Sequence, residues 1–249
     1  MIELAHIHKL FNKGKANELI ALKDISLTIQ KGDFLAIVGS NGSGKTTLLN
    51  IISGAIHSTE GKIHINGNDV TRMPEYKRSK WIARVFQDPL SGTAPDLTIL
   101  DNFRLAALRT RNKPLSIGIN ETFRQKVKDQ IAMLGMGLEN KIEQPMGSLS
   151  GGQRQALTLL MCVMDNTQIL LLDEPTAALD PKSAHIVLET ADRLIKDYQL
   201  TAVFITHNLK DAHQYGNRLV QMSEGTILRD LDNTAKRTLT LPALFEWFA

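Results

Sequence analysis

The sequence predicts an α/β fold with a mostly parallel central sheet, an N-terminal antiparallel β subdomain and an inserted helical subdomain. Three patterns point to this fold: short strands fill the first third of the chain, helical periodicity fills the middle, and strands alternate with helices in the last third. The chain has 249 residues, of which 43% are hydrophobic and 22% are charged. It is therefore long enough to bury a sizeable core without disulfides.

The first third carries several strand patterns and one helix. We expect strands at 2–7, 21–30 and 34–38, a helix at about 45–53, and a strand that runs into a turn at 63–67. The segment 21–30 alternates as a half-buried strand does, whereas 34–38 is continuously apolar. These patterns predict a small antiparallel sheet wrapped around the start of a parallel core.

The rest of the chain is helical first and then alternating. Helices are expected at 101–109, 121–134, about 152–163 and 183–197, and strands at 169–172 and 202–206. A loop with Pro114 and Gly118 separates the first two helices. Strands that alternate with helices indicate parallel pairing through right-handed crossovers.

These patterns divide the chain into segments of one domain. We assign the core and the β subdomain to 1–87 and 157–232, the helical subdomain to 88–156, and a C-terminal extension to 233–249. The end of the extension, Leu239 to Phe248, is apolar and aromatic. It is expected to pack on the body of the protein or on a second copy.

The charge of the chain bears on the kind of partner that it binds. The net charge is only +3 and no concentrated basic face stands out, which argues against a nucleic-acid partner. We interpret the densest basic stretch as a solvated face first and as a surface for contact with a partner second. Its members are Lys77, Arg78, Lys80 and Arg84, and Arg72 lies nearby in the sequence.

The single cysteine and the lack of long apolar runs bear on location. Cys162 lies in an apolar run, so we interpret it as a small buried side chain in a protein of a reducing compartment. No signal peptide is visible, and no apolar run approaches the roughly 20 residues that span a bilayer. If the protein works at a membrane, a partner must hold it there.

A glycine-rich loop follows the apolar strand 34–38 and opens a helix. It matches the pattern G-x-x-x-x-G-K-[ST]. Its backbone N–H groups and the helix N-terminus suit phosphate oxygens. Lys45 would reach the β- and γ-phosphates of ATP, and the Thr46 hydroxyl would ligate Mg²⁺. The predicted nucleotide-binding residues here are Gly39, Ser40, Asn41, Gly42, Ser43, Gly44, Lys45, Thr46 and Thr47. The loop identifies the core as that of a P-loop NTPase of the RecA-like type.

Two carboxylates end the apolar strand at 169–172. A buried carboxylate is costly unless it serves a cation or a reaction. We expect Asp173 to hold Mg²⁺, often through water, and Glu174 to polarise the attacking water as a general base. Solvated acids at an ordinary strand end are the alternative interpretation.

A third motif, LSGGQ, occupies 149–153. Ser150, Gly151, Gly152 and Gln153 lie at a predicted helix N-terminus, where N–H groups can contact a γ-phosphate. A plain helix cap is the alternative, because serine and glycine both cap well.

With these motifs in this order, nearly the whole chain resembles the ABC ATPase family. The resemblance implies that two copies pair head to tail, so that each LSGGQ closes on ATP held by the other copy. It further implies that Gln87 contacts Mg²⁺ or the attacking water, that Asp180 contacts the opposite subunit, and that His207 contacts the γ-phosphate. Asp180 could equally be the N-cap before Pro181.

Phe11 matches the family's adenine-stacking aromatic, a position that is often Tyr. A phenylalanine of the core is an equally good interpretation. Stacking on a base needs only the face of the ring.

Several classes of ABC protein remain to be separated. A chromosome-maintenance ATPase needs a long coiled coil, and ribosome-acting members commonly carry two cassettes; this chain shows neither. A cluster-assembly ATPase and an export or lipoprotein-release ATPase stay open. Segments around 84–95 and 154–161 look like a bacterial subgroup linked to amino-acid uptake, which favours an importer subunit.

The importer interpretation carries partners with it. They are a second copy of the chain, transmembrane permease subunits and a separate solute-binding protein. The chain would then sit peripherally on the cytoplasmic face of the cell membrane. The expected permease groove lies beside Gln87 and runs to Phe103.

Overall fold

A computed structural model describes residues 1–110 and 119–248 of the chain. The predicted loop with Pro114 and Gly118 lies outside the described residues. The chain forms two compact units, one of Met1–Arg78 with Leu200–Ala249 and the other of Ser79–Gln199. The subdomain boundaries expected from the sequence stay a prediction.

The strands, numbered in chain order, are β1 (Ile2–Phe11), β2 (Leu19–Ile29), β3 (Phe34–Val38), β4 (Glu60–Ile65), β5 (Asn68–Asp69), β6 (Ile82–Val85), β7 (Ile169–Asp173), β8 (Thr201–Ile205), β9 (Arg218–Ser223) and β10 (Thr226–Leu231). The helices are α1 (Lys45–Ser53), α2 (Glu75–Arg78), α3 (Ile99–Ala107), α4 (Glu121–Ala132), α5 (Gly151–Cys162), α6 (Pro181–Asp197), α7 (Leu209–Gln214), α8 (Asn233–Thr238) and α9 (Leu241–Glu246). Two short 3-10 turns lie at Leu138–Asn140 and Met146–Ser148.

The first unit contains the antiparallel sheet that the sequence predicts. Its strand order is β2-β1-β4-β5, and β1 pairs with β2 on one side and with β4 on the other. Strand β1 is longer than expected because its pairing continues to Phe11, which lies opposite Leu19. The predicted antiparallel β subdomain is thus confirmed.

The same unit contains the start of the parallel core. Strand β3 pairs in parallel with both β8 and β9, and β10 adds an antiparallel edge. Every residue of β3 is buried, as expected for a central strand covered on both faces. Helix α1 spans the predicted residues. The phosphate loop therefore follows the carboxyl end of a central strand.

The second unit pairs β6 with β7 in parallel, with Val85 opposite Leu172. Helix α5 packs on α3, α4, α6 and β6. Helix α3 begins earlier than predicted because Thr98 and Asp101 form a reciprocal capping box, in which each side chain accepts a hydrogen bond from the other residue's backbone N–H. The strand β7 and the helix α6 lie where the sequence predicts them, with ends that differ by one or two residues.

Packing of the C-terminal extension is confirmed in part. Leu244 of α9 is fully buried, and the Nε2 atom of Gln221 donates a hydrogen bond to the carbonyl of Trp247. Phe245 and Phe248 are exposed. Within residues 1–110 and 119–248, no helix combines the length and the apolar character that crossing a membrane requires.

The interpretation of the basic stretch as a solvated face is wrong for two of its members. Arg78 is 0% exposed and donates hydrogen bonds to the carbonyls of Ile51, Ile52 and Val70. Burial lowers the pKa of this guanidinium to about 10. Arg84 forms an ion pair with Asp173. Arginine can bury its charge in this way because its five donors reach several acceptors at once.

Cys162 is buried, as the sequence predicts. Burial raises the pKa of its thiol to about 12. At neutral pH the thiol is therefore protonated and unreactive.

Candidate functional site

The phosphate loop connects β3 to α1 in the first unit. Gly44 is the N-cap of α1 with φ 98°, a left-handed conformation that favours glycine, and no side chain of the described residues caps this helix. An uncapped N-terminus presents backbone N–H groups and a partial positive charge of about +0.5. This end of α1 therefore suits an anion.

Lys45 is folded onto the loop. Its Nζ atom donates to the carbonyl oxygens of Gly39 and Ser40 at 2.8 and 2.9 Å, and lies 3.4 Å from the Oγ atom of Ser43. The main chain of the loop thereby binds the ammonium group of Lys45. Thr46 follows in the first turn of α1 and is exposed.

Two further predicted residues belong to this unit. His207 is exposed and follows β8, the parallel neighbour of β3, so His207 and the phosphate loop follow adjacent strand ends. The carboxyl group of Asp211 has a raised pKa because burial disfavours its charge, and nearby His207 partly offsets this.

Phe11 is half-buried at the end of β1, and the Nζ atom of Lys9 lies 4.8 Å from its ring centroid. A face already in contact with a cation is accessible to polar groups. This favours an exposed role for the ring over a core role, and adenine stacking stays a prediction.

The second unit places Gln87 and the two acids after adjacent parallel strands. Gln87 is exposed and follows β6, whereas Asp173 ends β7 and is 7% exposed. Glu174 has φ 46°, which is uncommon for a residue other than glycine.

Arg84 is a residue of this site that sequence reasoning missed. Its Nη2 atom lies 2.6 Å from the Oδ2 atom of Asp173, and its guanidinium carbon lies 4.7 Å from the ring centroid of Phe86. The signal that could have revealed it is a charged residue inside an apolar strand that leads to Gln87.

Gln155 is a second residue that was missed. It is buried on α5, and its Nε2 atom donates to the carbonyls of Phe86 at 2.8 Å and Pro175 at 3.0 Å. One side chain thus ties the segment before Gln87 to the segment after Glu174. Gln155 lies two residues after the LSGGQ motif, on the helix that this motif begins.

The LSGGQ motif forms the N-terminus of α5. Ser150 is the N-cap, its Oγ atom accepts from the Gln153 N–H, and the Gln153 side chain accepts from the Ser150 N–H. A Cβ atom at Gly152 would lie 2.4 Å from the Cβ atom of Ser183 on α6, so only glycine fits there. The helix-cap interpretation of Ser150 is therefore confirmed, and the contact with a γ-phosphate stays a prediction.

Asp180 caps α6, as the alternative interpretation predicts. Its side chain accepts from the N–H groups of Lys182 and Ser183, both at 3.1 Å. Hydrogen bonds from Ser183, chiefly from its side chain, lower the pKa of Asp180. The expected contact with an opposite subunit is not tested by these bonds.

The donor set can be compared with the needs of Mg²⁺. Gln87 and Asp173 of the second unit offer an amide oxygen and a carboxylate oxygen, and Thr46 of the first unit offers a hydroxyl; each is an oxygen ligand of the kind that Mg²⁺ prefers. Among the described residues, no group of three or more His, Cys, Asp or Glu side chains could hold a metal by itself. Binding of Mg²⁺ by these residues stays a prediction.

Comparison with known proteins gives the family. The family model described as ABC transporter matches residues 22–177. A tyrosine transport ATP-binding protein of Clostridioides difficile is 38% identical over 251 residues, which cover 100% of this chain and 98% of that protein. The ABC transporter ATP-binding protein YtrE of Bacillus subtilis is 37% identical, with 91% of this chain and 96% of that protein covered.

A solved structure agrees in fold and in sequence. A dimeric ATP-binding cassette in a post-hydrolysis state, bound to ADP and Pi, superposes with a TM-score of 0.79 at 29% identity. The match covers 94% of this chain and 99% of that one. The fold prediction is confirmed, and this chain belongs to the ABC transporter family as an ATP-binding subunit with ATPase activity.

Proposed function

We propose that the chain powers a bacterial importer of amino acids or similar small solutes by closing head to tail on a second copy around Mg-ATP. The observation that carries this proposal is the presence of two different helix N-termini suited to anions, at α1 with Lys45 and at α5 with Ser150. One ATP held by the first terminus of one copy would present its γ-phosphate to the second terminus of the other copy.

Each side chain has a role in this proposal. Lys45 binds the β- and γ-phosphates, and Thr46, Gln87 and Asp173 would hold Mg²⁺, which neutralises phosphate charge when bound. Glu174 accepts a proton from the water that attacks the γ-phosphorus, while His207 donates a hydrogen bond to a γ-phosphate oxygen. Hydrolysis removes the γ-phosphate and with it the contact between the two copies.

The catalytic part is tested with Glu174→Gln, which keeps size and hydrogen bonding but removes the base. We expect ATP still to bind while turnover falls by about 10²-fold or more. Sedimentation with ATP should show a dimer that ADP does not support. As a control, Ser150→Arg in the same background should abolish that dimer by filling the phosphate contact.

Two results would contradict the proposal. Near-normal turnover of Glu174→Gln rejects Glu174 as the base. A dimer that is insensitive to both the nucleotide and Ser150→Arg places the interface elsewhere.

A cavity in the second unit supports the permease contact. It has a volume of about 420 Å³, and part of its wall comes from the predicted groove region. Its wall includes Gly92, Thr93, Ala94, Asn102 and Leu105. A cavity with apolar walls and a few polar groups suits a short helical segment of a partner. The exposed side chain of Leu90 lies on the same loop.

This contact is tested by co-purification. The chain is expressed with the membrane protein encoded beside it, and the complex is purified in mild detergent. We expect a polytopic permease to co-purify, and Thr93→Glu to release it because a carboxylate in the cavity is costly to desolvate. Lys62→Glu, a charge reversal on the exposed face of β4, is the matched control. A chain that never associates with membranes would favour a cluster-assembly ATPase instead.

The most specific part of the proposal is the identity of the transported substrate. The similarity to a tyrosine transport protein supports an amino acid as the transported substrate, aromatic ones included. The importer interpretation adds a separate solute-binding protein and a peripheral position on the cytoplasmic face of the membrane. An export or lipoprotein-release system is the alternative, and uptake of labelled tyrosine by cells with and without the gene separates the two.

A further inference from the structure

The C-terminal extension, residues 233–249, contacts α7, the short helix that follows His207. Helix α7 begins at Leu209, and Asn208 is its N-cap, so a single residue separates the cap from the buried Thr206 that follows β8. His207 is that residue. Its position therefore depends on how β8 and α7 are held relative to each other.

A buried lysine holds the far end of α7. Lys236 on α8 is 6% exposed, and its Nζ atom donates to the main-chain carbonyls of Tyr215 and, at 2.8 Å, Gly216. These carbonyls lie at and just after the C-cap of α7, where a cation is favourable. Among the described residues, no carboxylate forms an ion pair with Lys236. Burial lowers its pKa to about 8.

Two further contacts join the extension to α7. The Nε2 atom of His213 lies 2.8 Å from the carbonyl oxygen of Leu239, so this nitrogen donates the hydrogen bond. Helix α9 packs on α7, and its Leu244 is fully buried. The extension thus contacts α7 in three ways: through Lys236 at the C-terminal end of α7, through the bond from His213 to Leu239, and through the packing of α9 on α7.

Two features indicate that the contacts between the extension and α7 do more than cover the core: the buried charge of Lys236 and the short length of α7. Burying an ammonium group with only two carbonyl acceptors is costly, and an apolar residue would fill the same volume more cheaply. Helix α7 has 6 residues, so displacement of its end is passed to its start without room for bending to absorb it.

We infer that the C-terminal extension positions His207 for ATP hydrolysis, with Lys236 and His213 as positioning residues that act through α7. The inference rests on the proposed role of His207 at the γ-phosphate. The extension has no direct contact with nucleotide in this scheme. Loss of the contacts between the extension and α7 therefore lowers the rate of the chemical step more than it weakens nucleotide binding.

Steady-state ATPase measurements on single and double variants test the inference. Lys236→Met keeps the length of the side chain and removes both hydrogen bonds. We expect it to lower kcat by roughly 3- to 10-fold with little change in the KM for MgATP, within the range of coupling between neighbouring sites. Arg237→Met, at the exposed basic neighbour on α8, is the matched control and should leave kcat unchanged.

His213 supplies a second pair in case Lys236→Met does not fold. His213→Leu removes the hydrogen bond to Leu239 and should lower kcat by roughly 2- to 5-fold. His213→Gln keeps an N–H donor of similar reach and should retain most of kcat.

Double variants that add His207→Ala show whether the extension acts by positioning His207 or by a general effect on the protein. If the extension acts through His207, then neither Lys236→Met nor His213→Leu lowers kcat further once His207 is alanine. Effects that multiply with that of His207→Ala would overturn the inference and leave the proposed function standing. A His207→Ala protein with wild-type kcat would overturn the role of His207 itself, and the inference with it.

Discussion

Two glycine-containing loops of this chain, one before α1 and one before α5, share the way a basic side chain binds the loop but differ in how the following helix is capped. In each, a basic side chain binds carbonyls of its own loop: Lys45 binds those of Gly39 and Ser40, and Arg154 binds those of Gly147 and Leu149. The helix caps differ. Gly44 leaves α1 without a side-chain cap, whereas Ser150 and Gln153 form a capping box on α5.

The difference in capping predicts that the two helix N-termini differ in their affinity for phosphate. At α1 the cation is the first residue of the helix, so charge and N–H groups converge on one anion. At α5 the residue Arg154 is 8% exposed, and its guanidinium binds carbonyls of the loop, so it supports the loop. We therefore expect the first loop to hold a nucleotide alone, and the second loop to contact a phosphate that another site already holds. This supports ATP-dependent pairing of two copies.

Removal of the charge at the first loop should produce the largest effect. Lys45→Ala deletes charge-assisted hydrogen bonds to phosphate, each worth about 1.5–3 kcal/mol. We expect the Kd for MgATP, measured by calorimetry, to rise by about 10²-fold. The exposed Lys62→Ala is the control and should leave the Kd unchanged. An unchanged Kd in Lys45→Ala would mean that the two loops do not differ as their caps suggest.

A smaller effect is expected from added volume at the second loop. In Gly152→Ala the new Cβ atom would lie 2.4 Å from the Cβ atom of Ser183, and relief of this clash should cost about 1–3 kcal/mol of unfolding free energy in urea titration. ATP affinity should stay unchanged, because this loop does not hold the nucleotide alone.

Two variants sharpen this test. Ser183→Gly removes the opposing atoms and should restore much of the stability lost in Gly152→Ala. Gly151→Ala should cost less, because its nearest neighbour is the flexible end of Leu179 at 3.2 Å. Equal losses for Gly151→Ala and Gly152→Ala, or a double variant no better than Gly152→Ala, would argue against the packing explanation.

The elements predicted with the best bounds are those whose local signals are strongest. Strand β3 and helix α1 lie at the predicted residues, because a continuous apolar run and a glycine-rich helix start leave little choice. Strand β1 was predicted too short, since its second half is held by pairing with β2 and not by alternation of its own side chains. Caps moved the starts of α3 and α6, where Thr98 and Asp180 bind N–H groups of the first turn.

Site residues divide in a similar way. Lys45, Asp173, Glu174 and Ser150 belong to contiguous motifs, so their expected chemistry can be inferred from the order of the residues. Arg84 and Gln155 were missed because their partners lie far along the chain: Arg84 meets Asp173 across two strands, and Gln155 meets Phe86 and Pro175 from a helix.

By itself, the sequence determined the alternation of strands and helices, the phosphate loop and the family, because each depends on short-range patterns of side chains. Only the tertiary structure decided which charges are buried and what satisfies them. In the sequence, Arg78, Arg84 and Lys236 look like exposed basic residues. In the structure, Arg78 and Lys236 are buried against carbonyls, and Arg84 is mostly covered and paired with a carboxylate. A buried charge is stable only when acceptors from distant segments surround it, and that arrangement exists only after the chain has folded.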